Sequence, residues 1–464
     1  MSLRSDLVIR NGLIIDGTGG DPYIADIAIS DGLIEAIGDI EQYGCEEIDA
    51  AGLLVTPGFV DIHTHYDGQA IWEQRLSPSS GHGVTTVVMG NCGVGFAPCR
   101  PEDRARLVKL MEGVEDIPGV VMTEGLTWEW ESYPEYLNAV ESRKHDINIA
   151  SFLPHSPLRV YAMGERAVAG EDATEEDLAL MAKLTREAMQ AGALGFASSR
   201  TLFHRSSDGE VIPTVDAREE ELRTIAKALE SSGDGILQIM TDYKSFTDLD
   251  GEFSLLKRIA KESNRRLTLP MSQIHSQPEL WRDTLDLIRD ANAEGVVIKG
   301  QILPRGVGLL FGLELSAHPF SLSPSYQAIE DLPVEQRIAL MREPDLREKI
   351  LQEEPQKTDM ALLNFTRDFD GMFEIGEPLN YEPLLEDSIS ARAEREGISP
   401  LELAYELMLT HDGHAALFMP FANYAYGNLD SVQEILQDEN VVIGLGMVGP
   451  TVGSYAMLAT AHFF

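Results

Sequence analysis

The stretch Val60-Asp-Ile-His-Thr-His65, which follows Pro57-Gly58, predicts a β-strand that ends in a pair of histidines. Side chains two positions apart on a strand point to the same side, so the imidazoles of His63 and His65 face the same way. At the C-terminal end of a (β/α)8 barrel strand this side is the barrel interior, where two neutral nitrogens can bind zinc. The stretch therefore predicts an α/β TIM-type barrel with both histidines as metal ligands, although a lone His-x-His pair can also be incidental.

A cysteine follows the next predicted strand. The run Gly83-Val-Thr-Thr-Val-Val-Met-Gly90 is apolar and β-branched, and Asn91-Cys92-Gly93 comes directly after it. Because the carboxyl ends of neighbouring parallel strands meet at one edge, the thiol is expected beside His63 and His65. We expect Cys92 to be a third zinc ligand; the alternative is a buried small hydrophobic residue, the usual state of a free cysteine.

Other histidines are weaker candidates. His275, in Leu269-Pro-Met-Ser-Gln-Ile-His-Ser276, follows a predicted barrel strand and is either a fourth metal ligand or a loop histidine. His155 and His204 also follow strand-like runs, and we expect them to pack near the ligands rather than to bind metal. Three more are expected at the periphery: His82, His411 and His414.

Helix and strand patterns alternate from about residue 170 onward. Helical spacing followed by a short β-rich run recurs in residues 174–197, 219–240, 253–271 and 280–302. Successive helix–strand units predict a parallel sheet, and the chain length favours closure into a barrel. Polar, acidic and Pro-containing stretches interrupt this alternation and predict an insertion at about residues 318–395.

The N-terminal region has a different pattern. Residues 6–56 are short β-rich pieces separated by turn signals such as Asn11-Gly12 and Asp31-Gly32, which predicts a small antiparallel sheet. So few strands cannot enclose a core alone. We expect residues 1–56 to be the N-terminal part of a small β-sandwich and residues 57–464 to be the barrel domain.

The composition narrows the classes of partner. A formal net charge of −40 argues against nucleic acid and anionic membranes, which are bound by clustered Lys and Arg. Charges also interrupt the N-terminal segment where a signal peptide would be apolar. Three cysteines cannot form a disulfide framework, and Cys45 and Cys99 are expected to be structural. We expect a cytoplasmic protein that acts on a small molecule; its oligomeric state is not predicted.

The motifs around the histidines and Cys92 resemble the N-acyl-D-amino-acid deacylase (D-aminoacylase) family of the amidohydrolase superfamily. The likeness covers most of the chain and continues through Met111-Glu-Gly-Val-Glu-Asp116, Gly192-Ala-Leu-Gly-Phe196, Gly300-Gln301 and Asn423-Tyr-Ala-Tyr-Gly-Asn-Leu-Asp430. The resemblance implies hydrolysis of N-acyl-D-amino acids to a carboxylate and a D-amino acid. It further implies zinc held by His63, His65 and Cys92.

The resemblance also implies a catalytic aspartate after the last barrel strand, in a Gly-Leu-Gly-Asp-Gly-Gly-Ala-His-like segment. The matching stretch is Gly444-Leu-Gly-Met-Val-Gly-Pro-Thr451, so Met447 takes the place of the group that would accept the water's proton. Codons for the family segment, read one nucleotide later, can encode residues 447–451. One hypothesis is a frameshift that truncated the end of the barrel and the sandwich and left no intact catalytic residue.

Two other functions stay open. A cyclic amidase of the hydantoinase or dihydroorotase type typically has a metal-bridging carboxylated lysine, for which Lys244 and Lys299 are the nearest candidates. A non-catalytic binding protein on a degenerate barrel is favoured by the missing aspartate. An N-acyl amino acid would need an arginine for its carboxylate, and Arg305 and Arg200 are candidates, although a surface residue is the more usual interpretation of either.

Overall fold

The computed structural model describes residues 4–444 except residues 234, 316, 357–359, 377 and 379. Met447 lies outside the described residues, so the missing aspartate and the truncated end stay predictions. The chain divides into two compact units, Met1–Phe59 and Val60–Phe464. None of the helices in the described part is long and apolar enough to cross a lipid bilayer.

The strands are numbered in chain order. They are β1 (Ser5–Ile14), β2 (Tyr23–Ser30), β3 (Leu33–Gly38), β4 (Gly44–Asp49), β5 (Leu54–Val55), β6 (Phe59–Asp61), β7 (Val84–Met89), β8 (Asn148–Ser151), β9 (Leu153–Pro154), β10 (Gly195–Ser199), β11 (Ile236–Met240), β12 (Arg266–Pro270), β13 (Ile298–Ile302), β14 (Val307–Phe311), β15 (Phe373–Glu374), β16 (Leu417–Ala422) and β17 (Val441–Ile443).

The α-helices are numbered in the same way. They are α1 (Gln69–Trp72), α2 (Arg104–Glu115), α3 (Gly119–Gly125), α4 (Tyr133–Glu141), α5 (His155–Met163), α6 (Glu165–Val168), α7 (Glu175–Gln190), α8 (Glu219–Ala228), α9 (Tyr243–Phe246), α10 (Leu249–Ser263), α11 (Leu280–Ala293), α12 (Pro324–Gln327), α13 (Val334–Met341), α14 (Pro344–Gln352), α15 (Met360–Thr366), α16 (Ile389–Glu396), α17 (Pro400–Met408) and α18 (Asp430–Leu436).

The N-terminal unit contains a mixed sheet of order β3-β2-β1-β4, in which β5 also pairs with β1. The β1–β2 and β2–β3 pairs are antiparallel, whereas β4 and β5 run parallel to β1. The predicted antiparallel sheet is therefore wrong for β4 and β5, because the chain crosses from β3 to the far side of β1 before it forms them. The described residues of this unit form one sheet, so the sandwich stays a prediction.

The larger unit contains the alternating strands and helices that the sequence predicts. One sheet has the order β6-β7-β8 and another the order β17-β13-β12-β11-β10-β9, and the recorded pairings within them are parallel. Only Phe152 separates β8 from β9. Gly444, directly after β17, lies near the end of β6, since a Cβ on it would be 3.5 Å from His63 Cβ. No β6–β17 ladder occurs among the described residues, so barrel closure stays a prediction.

Helix α7 begins where the sequence predicts. The Asp177 carboxylate accepts a hydrogen bond from the Thr174 backbone N–H (2.8 Å), and the Thr174 hydroxyl accepts one from the Asp177 N–H (3.2 Å). This capping box satisfies two of the free N–H groups at the helix start. The buried side chains of Met181, Thr185 and Ala188 follow at helical spacing. Met181 and Ala188 belong to the same core cluster as buried side chains of the parallel strands.

A second core lies between β13 and β17 in the chain. Strands β14, β16 and β15 form an antiparallel sheet, in that order. Buried side chains from Leu309 to Met419 form a cluster separate from the core of the parallel strands. This body starts before and ends after the predicted insertion at 318–395, because its framing strands β14 and β16 are apolar and resemble barrel strands in sequence.

Candidate metal centre

Contacts with the neighbouring strand hold the loop that carries the two histidines. Strand β6 ends at Asp61, whose carboxylate accepts a hydrogen bond from the His63 backbone N–H (3.2 Å). Thr64 is fully buried, and its N–H and hydroxyl both donate to the Val88 carbonyl of β7 (2.9 and 2.8 Å). These hydrogen bonds attach Thr64, the residue between the histidines, to β7. The imidazoles of His63 and His65 therefore do not point toward β7 with the Thr64 side chain.

The turn after β7 presents Cys92. Gly90 has φ +79°, and a Cβ there would lie 2.4 Å from the Phe152 carbonyl oxygen, so glycine is required. Cys92 itself has φ 54°, a left-handed conformation that costs a non-glycine residue conformational energy. Its backbone N–H donates to Gln238 Oε1 (2.9 Å). This contact from β11 helps to hold the thiol in its strained position.

The structure brings the three sequence-predicted ligands together. One ligand atom from each of His63, His65 and Cys92 lies within 4.8 Å of the others. Cys92 Sγ lies 3.3 Å from His63 Nε2. His65 and Cys92 are 4% and 5% exposed, while His63 is half-buried. The predicted neighbourhood of the thiol and the imidazoles is therefore present, and their role as ligands remains a proposal.

Two further side chains contact the imidazoles. Gln301 Oε1, on β13, lies 2.9 Å from His63 Nδ1. Glu115 Oε1, at the end of α2, lies 3.3 Å from His65 Nε2. These contacts leave His63 Nε2 facing the thiol and His65 Nδ1 buried without a hydrogen-bond partner among the described residues.

Burial dominates the electrostatics of the cluster. It lowers the pKa values of His63 and His65, with a further lowering of the His65 pKa by the charge of His63, so both imidazoles are neutral. Burial raises the pKa of the Cys92 thiol well above its ordinary value. It also raises the pKa of Asp67 to about 7 and that of Glu115 to about 8. A nearby cation would favour the ionised forms of the thiol and both carboxyls.

These donors fit a zinc ion. Neutral imidazole and thiolate are the ligand types that zinc prefers, and a buried unpartnered nitrogen at His65 Nδ1 is costly unless something occupies it. Outer hydrogen-bond partners on ligand histidines are typical of metal sites, and Gln301 and Glu115 stand in those positions. The chemistry of the residues is therefore consistent with the predicted metal.

The family assignment follows from comparison with known proteins. The sequence profile of the amidohydrolase family matches residues 46–443. The chain belongs to the amidohydrolase family. A D-aminoacylase of Alcaligenes xylosoxydans xylosoxydans is 30% identical over 296 residues, or 62% of this chain and 55% of that protein. An uncharacterized protein of Mycobacterium tuberculosis is 35% identical over 286 residues, or 58% of this chain and 45% of that protein.

This amidohydrolase thus matches about half the length of these curated relatives, and the predicted resemblance to D-aminoacylases is confirmed. Among solved structures, N-acyl-D-glutamate deacylase from Bordetella bronchiseptica, complexed with zinc and a phosphonate inhibitor, has a TM-score of 0.60 at 21% identity, covering 96% of this chain and 76% of that chain. A D-aminoacylase structure has a TM-score of 0.58 at 21% identity, with 95% and 75% covered. These structural matches establish an α/β fold of the amidohydrolase type.

The structure does not bring His275 into the cluster. Its side chain is exposed and is not among the clustered ligand atoms, and partial burial lowers its pKa against the opposing charge of Asp368. The geometry of this amidohydrolase therefore does not support His275 as a ligand. Of the peripheral histidines, His411 and His414 are exposed and His82 is half-buried.

His155 and His204 occupy different surroundings. His155 is fully buried, with its ring nitrogens 2.8 Å from Ser198 Oγ and 2.8 Å from Glu221 Oε1. His204 Nδ1 lies 2.9 Å from Ser199 Oγ, and burial together with the charge of His63 lowers the His204 pKa to about 4. The charge of His204 in turn lowers the pKa of His65, which is consistent with a position near the proposed ligands.

Of the two candidate arginines, Arg305 is buried and Arg200 is half-buried. Arg200 pairs with the Glu252 carboxylate (2.5 Å) and donates to the Ala217 carbonyl (2.7 Å). Arg305 is 9% exposed and lines a cavity of about 330 Å³ together with Tyr381 and other residues of the second core body. Neither side chain is exposed on the surface, because segments distant in sequence pack around both guanidinium groups.

Sequence reasoning missed three side chains at this site: Glu115, Gln238 and Gln301. Glu115 and Gln301 belong to motifs that carried the family resemblance, so their position in those motifs was the available signal. No sequence signal pointed to Gln238, because a glutamine within a β-rich run is indistinguishable from an ordinary strand residue.

Proposed function

We propose that this amidohydrolase is a zinc-dependent enzyme for the amide bond of N-acyl-D-amino acids, with the zinc ion held by His63, His65 and Cys92, and that its turnover is low because Met447 replaces the expected aspartate. The observation that carries the proposal is the buried cluster of their ligand atoms within 4.8 Å. Relatives support the substrate class, since a D-aminoacylase and an N-acyl-D-aspartate deacylase of Alcaligenes xylosoxydans xylosoxydans are 30% and 33% identical over the matched segments.

The protein's residues would orient the donors. When bound, zinc supplies Lewis acidity toward the amide carbonyl and lowers the pKa of a water molecule toward neutrality. Gln301 Oε1 accepts the Nδ1–H of His63, which leaves the lone pair on Nε2, the atom that faces Cys92 Sγ. Burial of His65 and Cys92 excludes bulk water and strengthens the electrostatic interactions there.

We propose Arg305 as the group that binds the substrate carboxylate. A guanidinium can donate two parallel hydrogen bonds to a carboxylate. Burial lowers the Arg305 pKa to about 10, so the group stays charged at neutral pH. The charge of Asp61, two residues before His63, also acts on this pKa, which supports a location near the histidine loop. Arg200 is not proposed for this role, because Glu252 already engages it.

Proton transfer is the step for which the chain lacks its expected group. In the resembling family an aspartate accepts the proton of the attacking water, and Met447 stands at that position here. A thioether is only a weak hydrogen-bond acceptor and does not take up a proton. We therefore propose that the chain binds metal and substrate but has lost most of its turnover. In this respect it resembles the alternative function, a non-catalytic binding protein.

A direct test measures bound zinc and the hydrolysis of N-acetyl-D-amino acids by the unaltered chain and by Met447→Asp. We expect both to bind zinc and the variant to gain at least about 100-fold in kcat/KM, the usual contribution of a positioned base. The double variant Met447→Asp/His65→Asn should lose that gain. Rapid hydrolysis by the unaltered chain would show that another group accepts the proton, and an absence of bound metal would overturn the proposal.

The cyclic amidase alternative has less support. Lys244 Nζ pairs with Asp248 (3.0 Å), and its side chain is 64% exposed. Lys299 Nζ donates to the Glu439 carbonyl in an exposed contact (2.6 Å). Both ammonium groups are therefore occupied away from the cluster. Dihydropyrimidines and hydantoins belong in the assay as comparison substrates, and we expect no hydrolysis of them.

A further inference from the structure

Glu115 is a buried carboxylate in an electrostatically unfavourable place. It is the last residue of α2, and its side chain is 6% exposed. The C-terminal end of a helix carries partial negative charge, which disfavours a carboxylate, and the last turn of α2 contains no basic residue. The negative charge of Asp67, also buried, acts on Glu115 as well. A buried carboxyl at this position needs a hydrogen-bond partner or a nearby positive charge.

Among the described residues, no arginine or lysine forms an ion pair with Glu115. Two other buried carboxylates have one: Glu221 pairs with Arg159 (2.8 Å), and Glu252 pairs with Arg200 (2.5 Å). The Glu115 side chain instead contacts His65, with its Oε1 3.3 Å from Nε2. The geometry therefore pairs the Glu115 carboxyl with the His65 imidazole rather than with a cationic side chain of the described residues.

The other side of the same imidazole supplies an independent observation. His65 Nδ1 is buried and has no hydrogen-bond partner among the described residues. When Nε2 carries the proton and donates it to Glu115, the lone pair lies on Nδ1. A carboxylate–histidine pair with a free lone pair on the second nitrogen is the arrangement that fixes the tautomer of a metal-binding histidine.

We propose that Glu115 is a positioning residue of the metal centre that fixes the tautomer and orientation of His65 for a divalent cation. The inference rests on the proposed function, because it assumes that the His63, His65 and Cys92 cluster binds metal. It also gives a role to Met111-Glu-Gly-Val-Glu-Asp116, a motif that the reaction itself leaves unused.

The test measures the zinc dissociation constant by competition with a chromophoric chelator for the unaltered full chain and for Glu115→Gln. We expect Glu115→Gln to bind zinc about 10- to 100-fold more weakly, the usual effect of losing such a partner. Asp177→Asn is the matched control, since Asp177 is also a buried carboxylate but pairs with Arg166 at the start of α7. Its zinc affinity should equal that of the unaltered chain.

Two further readouts separate positioning from simple loss of structure. The cobalt-substituted Glu115→Gln protein should show shifted visible absorption bands, because the ligand field at His65 changes, whereas cobalt-substituted Asp177→Asn should keep the original spectrum. Should Glu115→Gln fail to fold, Glu115→Asp retains the charge, and we expect an intermediate affinity. An unchanged zinc affinity and cobalt spectrum in the folded Glu115 variant would overturn the inference about Glu115 but not the proposed function. The same holds if Asp177→Asn loses as much zinc affinity as Glu115→Gln. An unaltered chain that binds no metal would overturn the proposed function as well.

Discussion

At the scale of single residues, the turn after β7 depends on backbone conformations that few residues adopt. Gly90 has φ +79° and Cys92 has φ 54° within three residues. A non-glycine residue in this region costs about 1–3 kcal/mol and persists when its surroundings require it. The hydrogen bond from Cys92 N–H to Gln238 is one such requirement. The thiol is thus positioned by backbone geometry rather than by its own side-chain contacts alone.

Gly90→Ala should therefore destabilise the protein and disturb the cluster. The new Cβ would lie 2.4 Å from the Phe152 carbonyl oxygen at a positive φ, so we expect a loss of about 2 kcal/mol or more in the free energy of unfolding. Urea denaturation measures the loss, and the chelator competition measures weaker zinc binding. Gly81→Ala is the control, because a Cβ there meets nothing within 4 Å. Equal stability of the two variants would contradict this account of Gly90.

At the scale of elements, the antiparallel body between β13 and β17 has a core with a buried histidine. His318 is 2% exposed, its ring packs edge-on against Tyr326 with centroids 4.3 Å apart, and its Nδ1 accepts the Phe320 backbone N–H (3.2 Å). Burial, together with the charge of Arg337, lowers the His318 pKa to about 3. The folded state therefore keeps this imidazole neutral.

The burial of His318 predicts that the folded protein loses stability in acid because of this one residue. Between the ordinary histidine pKa of 6.5 and about 3 the unfolded chain binds a proton that the folded chain does not, so stability falls as pH falls. Relative to His318→Asn, whose amide oxygen can replace Nδ1 as acceptor, the unaltered chain should lose about 2–3 kcal/mol between pH 7 and 4.5. Urea titrations at both pH values measure the difference. If the difference in unfolding free energy between the unaltered chain and His318→Asn were the same at both pH values, His318 would have to be protonated in the folded protein as readily as in the unfolded chain.

At the scale of the whole molecule, the cluster joins segments that are far apart in sequence. His63 contacts Gln301 across 238 positions, and Cys92 contacts Gln238 across 146 positions. A ligand that binds only when these segments are assembled stabilises the folded state in proportion to its occupancy. Zinc binding is therefore expected to stabilise the unit that contains the parallel strands as a whole.

Zinc at 100 times its dissociation constant should raise the free energy of unfolding by about 2.7 kcal/mol, and a chelator should remove this gain. Cys92→Ala should lose most of the gain, because it removes a donor of the cluster. Cys99→Ala is the matched control, since Cys99 is also buried but its thiol donates to the Arg100 carbonyl. Thermal unfolding with and without zinc measures the effect, and a gain that survives in Cys92→Ala would exclude Cys92 as a ligand.

The sequence by itself determined the local features of this protein. Alternation along a strand predicts that His63 and His65 share a side, and the capping pattern at Thr174 predicts the start of α7, because both depend on backbone geometry within a few residues. The family resemblance was likewise contained in short motifs. Met447 remains a feature of the sequence alone, outside the described residues.

Only the tertiary structure decided which distant side chains meet at the cluster. Glu115 approaches His65 from the end of a helix, Gln301 approaches His63 from another strand, and His275 stays outside, and none of these outcomes follows from spacing along the chain. The burial of Arg305 and the parallel direction of β4 were likewise not predictable from the local sequence. Such contacts depend on how whole elements pack, and packing is set by many weak interactions among residues far apart in sequence, which no local pattern encodes.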